Sequence, residues 1–158
     1  MNSYERIFGS GPLSLGVGIL LLLLAITLED TLGLAAIISL NWLRYSLFGL
    51  LTAIALFIIV WSVKSLPPAN RGRKLCTSGA FYYFRHPLYA AFLSFFNIGL
   101  ALLLNNYIYL IWALVCHPVA HLLIRYEENI MLKEFGHEYK AYTSVTGRFV
   151  PRLFGRSG

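Results

Sequence analysis

The chain has 158 residues, 58% of them hydrophobic and 13% charged, with a formal net charge of +6. This balance excludes an ordinary soluble domain and places the chain in the integral membrane class, while its two cysteines, Cys76 and Cys116, make neither a disulfide framework nor a zinc pattern. The positive charge does not point to nucleic acid, because Arg71, Arg73, Lys74 and Arg85 lie beside apolar spans, where anionic lipid or an anionic ligand is the fitting partner.

Four apolar segments approach the length of about 20 residues needed to cross a bilayer. They cover roughly 11–28, 44–63, 88–104 and 107–126. The first reads as a retained span and not as a signal peptide, since only Arg6 is basic before it and Ala25-Ile26-Thr27 is a poor cleavage site. Glu29 and Asp30 then mark a turn. Leu32 to Leu43 is too short to cross alone, so it either lies along the interface or extends the second helix; Asn41, Trp42 and Arg44 suit an interface. Pro67-Pro68 and Ser78-Gly79 interrupt helical structure before the third span, and Thr146-Gly147 does so near the end. Asn105-Asn106 is a tight polar turn that makes spans three and four an antiparallel hairpin.

After Tyr126 the pattern becomes mixed: Leu132, Phe135, Tyr139 and Tyr142 recur at helical spacing, with Glu128, Glu134 and Lys140 among the polar positions. This predicts a C-terminal amphipathic helix over the cytoplasmic mouth. Lys64, Arg71, Arg73, Lys74 and Arg85 share one loop, and Lys133, Lys140, Arg148, Arg152 and Arg156 follow the last span, so both regions are predicted cytoplasmic. An even number of spans puts the N-terminus there as well and Glu29 and Asp30 outside. The expected fold is all-α: an integral membrane bundle of about four transmembrane helices plus the amphipathic helix. It is read as a single domain over 1–158, with membrane spans in 1–66 and a ligand-binding region in 67–158.

Polar groups are tolerated at membrane depth only where they have partners or line a cavity, which singles out two clusters. Arg85-His86-Pro87 precedes the third span, and Pro87 fits a first helical turn. The free N–H groups of that turn, with Arg85 and His86, suit a carboxylate or phosphate; alternatively Arg85, Tyr83 and Tyr89 are an interfacial anchor. Glu127 and Glu128 follow the fourth span, and adjacent helical residues point about 100° apart, so one is expected to bind a ligand such as a ribose while the other pairs. The bland reading is an Arg125–Glu128 pair on the helix surface. His117 and His121 have a metal-compatible spacing, with Pro118 predicted to kink the helix between them, but no third ligand is evident. Histidines hydrogen-bonded inside the bundle are therefore preferred to a metal site. Phe81, Tyr82, Tyr83 and Phe84 suit either stacking on a purine or sulfonium, or an interfacial aromatic belt.

Together, Leu75-x-Thr77-Ser78-Gly79, Arg85-His86-Pro87-x-Tyr89, Glu127-Glu128, Phe135-Gly136-x-Glu138-Tyr139-x-x-Tyr142 and Arg148-x-x-Pro151 resemble the isoprenylcysteine carboxyl methyltransferase family, whose wider superfamily includes phospholipid N-methyltransferases. The resemblance implies an all-helical membrane enzyme that uses S-adenosylmethionine and acts on a lipid-like or prenylated acceptor reached from the bilayer, without a metal. It carries cofactor contacts over to Arg73, Lys74, Leu75 and Cys76, to Phe81, to His86, Pro87, Leu88 and Tyr89, and to Glu127 and Glu128; Arg85 is implied as an orienting residue. Three departures stand out. Ala80 occupies a place where many members have proline, Leu123 replaces the arginine that approaches the substrate carboxylate in isoprenylcysteine enzymes, and the Gly-x-Gly element of the phospholipid enzymes is absent. Competing readings are a phospholipid, amine or thiol methyltransferase, an NADPH-dependent membrane reductase of related architecture, and a non-catalytic scaffold.

Overall fold

The computed structural model describes residues 10–66 and 74–152; Arg6, Pro67-Pro68, Arg71, Arg73 and Arg156 fall outside them. Helix α1 is Gly11–Leu32, α2 is Asn41–Ser65, α3 is the single turn Ala80–Tyr83, α4 is Pro87–Leu104 and α5 is Tyr107–Val145. Helices α1, α2, α4 and α5 are each long and apolar enough to cross a membrane. With no strand among the described residues, this is the expected all-α membrane bundle.

The membrane acts as solvent for α1, which turns Leu13, Leu15, Leu20 and Leu23 outward and buries Ala25 against α5. Trp112 of α5 donates from Nε1 to the Gly18 carbonyl at 2.9 Å, giving the indole N–H a partner that lipid cannot provide. On the other side α2 packs on α4, with Ala55, Ile58 and Ala91 buried between them. Within α4, Phe92–Phe96 widens into a π-helical turn.

Three features add detail to the sequence expectations. Leu32 ends α1 and Asn41–Leu43 open α2, extending the second helix by those three residues, while the chain between them, Leu34 to Leu40, runs without helix. Its backbone is satisfied by the turn between α4 and α5: Asn105 Oδ1 accepts from Ile37 N (3.2 Å) and Ile38 N (2.8 Å), and Asn106 Nδ2 donates to the Leu34 carbonyl (3.1 Å). Pro118 lies inside α5, but the residue with non-helical dihedrals is Gly136, at φ 49° and ψ −120°. A side chain rarely adopts such a φ, whereas glycine does so at little cost. Two helical stretches meet across this kink: the amphipathic stretch after Tyr126 is helical as expected, its first part continuing the fourth span and its last part, beyond Gly136, running in a new direction.

Length fixes where the polar residues lie. Glu127 is about 30 Å along α5 from Tyr107, which matches the hydrocarbon thickness of a bilayer. The bundle therefore has two polar ends: Glu29, Tyr109, Asn105 and Asn106 at one, and Ser10, Tyr89, Glu127 and Glu128 at the other.

Asn105 is left-handed (φ 62°) and also an acceptor for two backbone N–H groups. Asn105→Gly keeps the backbone freedom and loses the acceptor, whereas Asn105→Ala loses both. Thermal unfolding in detergent should show both variants destabilised by roughly 1–3 kcal/mol, alanine more than glycine; a glycine variant as stable as wild type would remove the acceptor role.

Candidate functional site

The site begins with a short strap after α5. Thr146 leaves the helix, and Gly147 and Arg148 run beside the Phe84–His86 segment: Arg85 N donates to the Gly147 carbonyl at 2.8 Å and His86 N to the Arg148 carbonyl at 3.1 Å. Gly147 is required by space, because a Cβ there would run into the Val150 carbonyl. This parallel pairing fixes His86 immediately ahead of Pro87, the buried first residue of α4. Tyr142 secures the same region from α5 by donating its hydroxyl to the Phe81 carbonyl at 2.6 Å.

Around this frame the two predicted clusters meet. Glu128 accepts from Arg85 Nε at 3.0 Å and from Arg148 Nε at 3.1 Å, and Arg148 Nη2 donates to its second oxygen. Arg85 also donates from Nη1 to the carbonyls of Thr143 (3.2 Å) and Thr146 (2.6 Å), stitching the end of α5 to the His86 turn. Glu127 points elsewhere, as the 100° between neighbouring helical residues requires. Its Oε1 accepts from the Ser10 backbone N–H, the Ser10 hydroxyl and the Tyr89 hydroxyl (3.3 Å), while Oε2 lies 3.7 Å from His86 Nδ1. The carboxylate thus caps the N-terminus of α1 from another helix. His86 Nε2 is 3.4 Å from Glu128 Oε1 but out of hydrogen-bonding geometry, and this buried nitrogen has no hydrogen-bond partner among the described residues.

Phe149 closes the cluster from below. It is 3% exposed and touches four rings: Tyr89 stacks on it at 6.0 Å, His121 lies at 4.5 Å, and His86 and His117 each meet it at 6.4 Å. Beside the Arg85–Glu128 pair opens a cavity of about 600 Å³, lined also by Asn129, Leu132, Tyr139, Lys140 and Thr143. Its size falls within the roughly 300–1,000 Å³ of small-molecule sites.

His86, Pro87, Tyr89, Glu127, Glu128 and Arg85 are thus brought together. Arg85 orients Glu128 and the end of α5 and makes no hydrogen bond to His86. Leu88 is exposed, and Phe81 contributes its carbonyl to Tyr142. Cys76 Sγ donates to the Ser65 carbonyl at the end of α2 at 3.4 Å, and Lys74 is exposed; among the described residues no hydrogen bond or ion pair joins Lys74, Leu75 or Cys76 to the glutamates. Arg73 lies outside the described residues. Glu128 pairs with Arg85 and Arg148 and not with Arg125, which is exposed. His117 and His121 pack on Phe149, and no group of three metal-ligating side chains occurs among the described residues. Ser10 and Phe149 escaped the sequence reading. Ser10 had a signal, since a serine ahead of Gly11-Pro12 reads as a helix start; Phe149 had none.

A family model for phospholipid methyltransferases matches residues 15–138. The chain belongs to this family. It is therefore a membrane methyltransferase of the superfamily that also includes the isoprenylcysteine enzymes. No curated protein sequence matches it. The matched span of this phospholipid methyltransferase family member includes the His86 turn and both glutamates, whereas Ser10, Arg148 and Phe149 lie beyond its limits.

Glu128 is 13% exposed and holds two arginines that would otherwise be partly buried without a counter-charge. Glu128→Ala should lower unfolding stability in detergent by roughly 3–5 kcal/mol. Lys140→Ala, at the same cavity but outside the ion cluster, should change it by less than about 0.5 kcal/mol. Equal small effects would mean that the ion cluster does not hold the fold.

Proposed function

We propose that the chain is an S-adenosylmethionine-dependent methyltransferase acting on a lipid-like acceptor that enters from the bilayer. The observation carrying this reading is the meeting of the His86 turn with the Glu127–Glu128 helix end beside a cavity of about 600 Å³. The groups present fit such a cofactor. Carboxylates suit its ribose hydroxyls and its cationic groups, the cavity-lining Arg85 and Lys140 and the buried His86 Nε2, which makes no hydrogen bond among the described residues, suit its carboxylate, and Tyr89 and Tyr139 offer ring faces. When bound, S-adenosylmethionine supplies an electrophilic methyl group on a sulfonium.

The chain's own part is positioning. Glu128, Arg85, Tyr139 and Lys140 line the cavity that would receive the cofactor. Glu127 and His86, outside that lining, would hold it on the face where Ser10 at the start of α1 now contacts Glu127, and Phe149 would exclude water beneath Tyr89 and His86. Excluding water strengthens every charge interaction in such a site. The acceptor nucleophile could be a carboxylate, an amine or a thiol. The resemblance favours an isoprenylcysteine carboxylate, yet Leu123 stands in place of its arginine and Arg125 is exposed, so the acceptor is assigned only as lipid-like. The bias of basic residues supports a site and termini on the cytoplasmic face, in one domain spanning the chain.

Purified protein in lipid discs should bind S-adenosylmethionine by calorimetry. Glu127→Ala should weaken binding by about tenfold or more, as loss of hydrogen bonds to a charged group does, with helix content unchanged by circular dichroism. Ser10→Ala, which removes one of the donors to Glu127, should bind nearly as wild type; an equal loss in both variants would make Glu127 a cap for α1 and not a cofactor ligand. Labelled cofactor incubated with membrane extract would identify the acceptor, and absence of cofactor binding by the wild-type chain would reject the reading.

A further inference from the structure

His121 is the polar group of the cluster for which cofactor binding provides no use. Its Nδ1 lies 2.8 Å from Arg148 Nη1. A guanidinium has donors only and keeps its charge at any relevant pH, so Nδ1 must be the acceptor, and the ring must be neutral with its proton on Nε2. The rest of that guanidinium is forked onto Glu128. Arg148 thus has one edge on a carboxylate and another on an imidazole, and its own backbone holds His86 N at 3.1 Å. The next residue, Phe149, packs on the same imidazole at 4.5 Å.

We propose that His121 is a positioning residue: its neutral ring, accepting from Arg148, aligns the 146–151 strap against Glu128 and the His86 turn, and taking up a proton releases that strap. A protonated ring would present a second donor and a second cation to Arg148. The charged and titratable groups that face it are Arg148 from the strap, Glu128 behind Arg148, His117 and Arg125 about one turn away along α5, and His86 across Phe149. Helix α1 has no charged side chain between Gly11 and Thr27, and α4 has none from Pro87 to Leu104. Glu128, the carboxylate that faces His121, is already committed to two arginines, and Glu127 is turned toward Ser10, Tyr89 and His86. Its effect on the cofactor rests on the methyltransferase reading above; the latch itself does not.

The test compares the full chain in lipid discs at about pH 8 and about pH 5, which spans the range where imidazoles change charge. The first readout is the protection factor of the Arg85 and His86 amides, which donate to the strap. Wild type should lose protection about tenfold or more at acid pH, the size expected for losing a hydrogen bond to a charged group. His121→Gln, whose amide oxygen accepts but does not titrate, should stay protected at both pH values, and His121→Leu should be poorly protected at both. His117→Gln should keep the wild-type acid loss. The second readout is S-adenosylmethionine affinity, which should weaken at acid pH in wild type and not in His121→Gln. Protection in wild type that is independent of pH, an acid loss retained in His121→Gln, or full protection in His121→Leu would each overturn the proposal. If wild type binds no cofactor at either pH, the methyltransferase reading fails while amide exchange still decides the latch.

Discussion

The architecture of the polar face depends on one carboxylate. Glu128 sits near the end of the fourth membrane crossing and receives Arg85 from the turn before α4 and Arg148 from the strap after α5. Three segments far apart in sequence are joined by charges that lie at the edge of the hydrocarbon region, where unpaired charge is costly and screening by water is reduced. Arg85 extends the tie to two carbonyls at the end of α5. Glu127, the neighbour of Glu128 turned about 100° around the helix, faces Ser10, Tyr89 and His86.

The strap turns this ion cluster into a shaped site. Gly136 lets α5 bend back, Gly147 admits the tight turn before Val150, and Phe149 is thereby placed under the rings of His86, Tyr89, His117 and His121. A phenyl ring there is itself buried and fills the space among these four rings. The adjoining cavity lies on the Glu128 side, whereas the Glu127 side is covered by the start of α1. The first helix, otherwise a lipid-facing span, thus takes part in the site through its N-terminus.

Much of this was legible residue by residue. The spans were readable because a bilayer demands long apolar helices, and the Arg85-His86-Pro87 turn and the Glu127-Glu128 pair stood out as charge where lipid forbids unpartnered charge. The different fates of the two glutamates also follow from helical geometry alone. Less was readable where partners are remote. Pro118, expected to kink the last helix between His117 and His121, lies inside α5, whereas the non-helical dihedrals fall at Gly136, which the sequence reading did not single out as a bend. Cys76, one of the residues of the 73–76 stretch implied by resemblance, donates its thiol to the Ser65 carbonyl at the end of α2, a partner that its sequence position does not indicate.

The sequence by itself determined the solvent in which this protein folds, the number of helices long and apolar enough to cross it and the two places where polar chemistry interrupts them, because those depend on local hydrophobicity and helical period. Which charges neutralise one another was decided by tertiary structure alone. Nothing in the spacing of Arg148, His121 and Phe149, or in a serine ahead of the first span, indicates that they converge on Glu127 and Glu128. Their convergence depends on how four helices pack and on where one glycine bends the last, and pairing energies between distant residues exist only once that packing has brought them within a few ångströms.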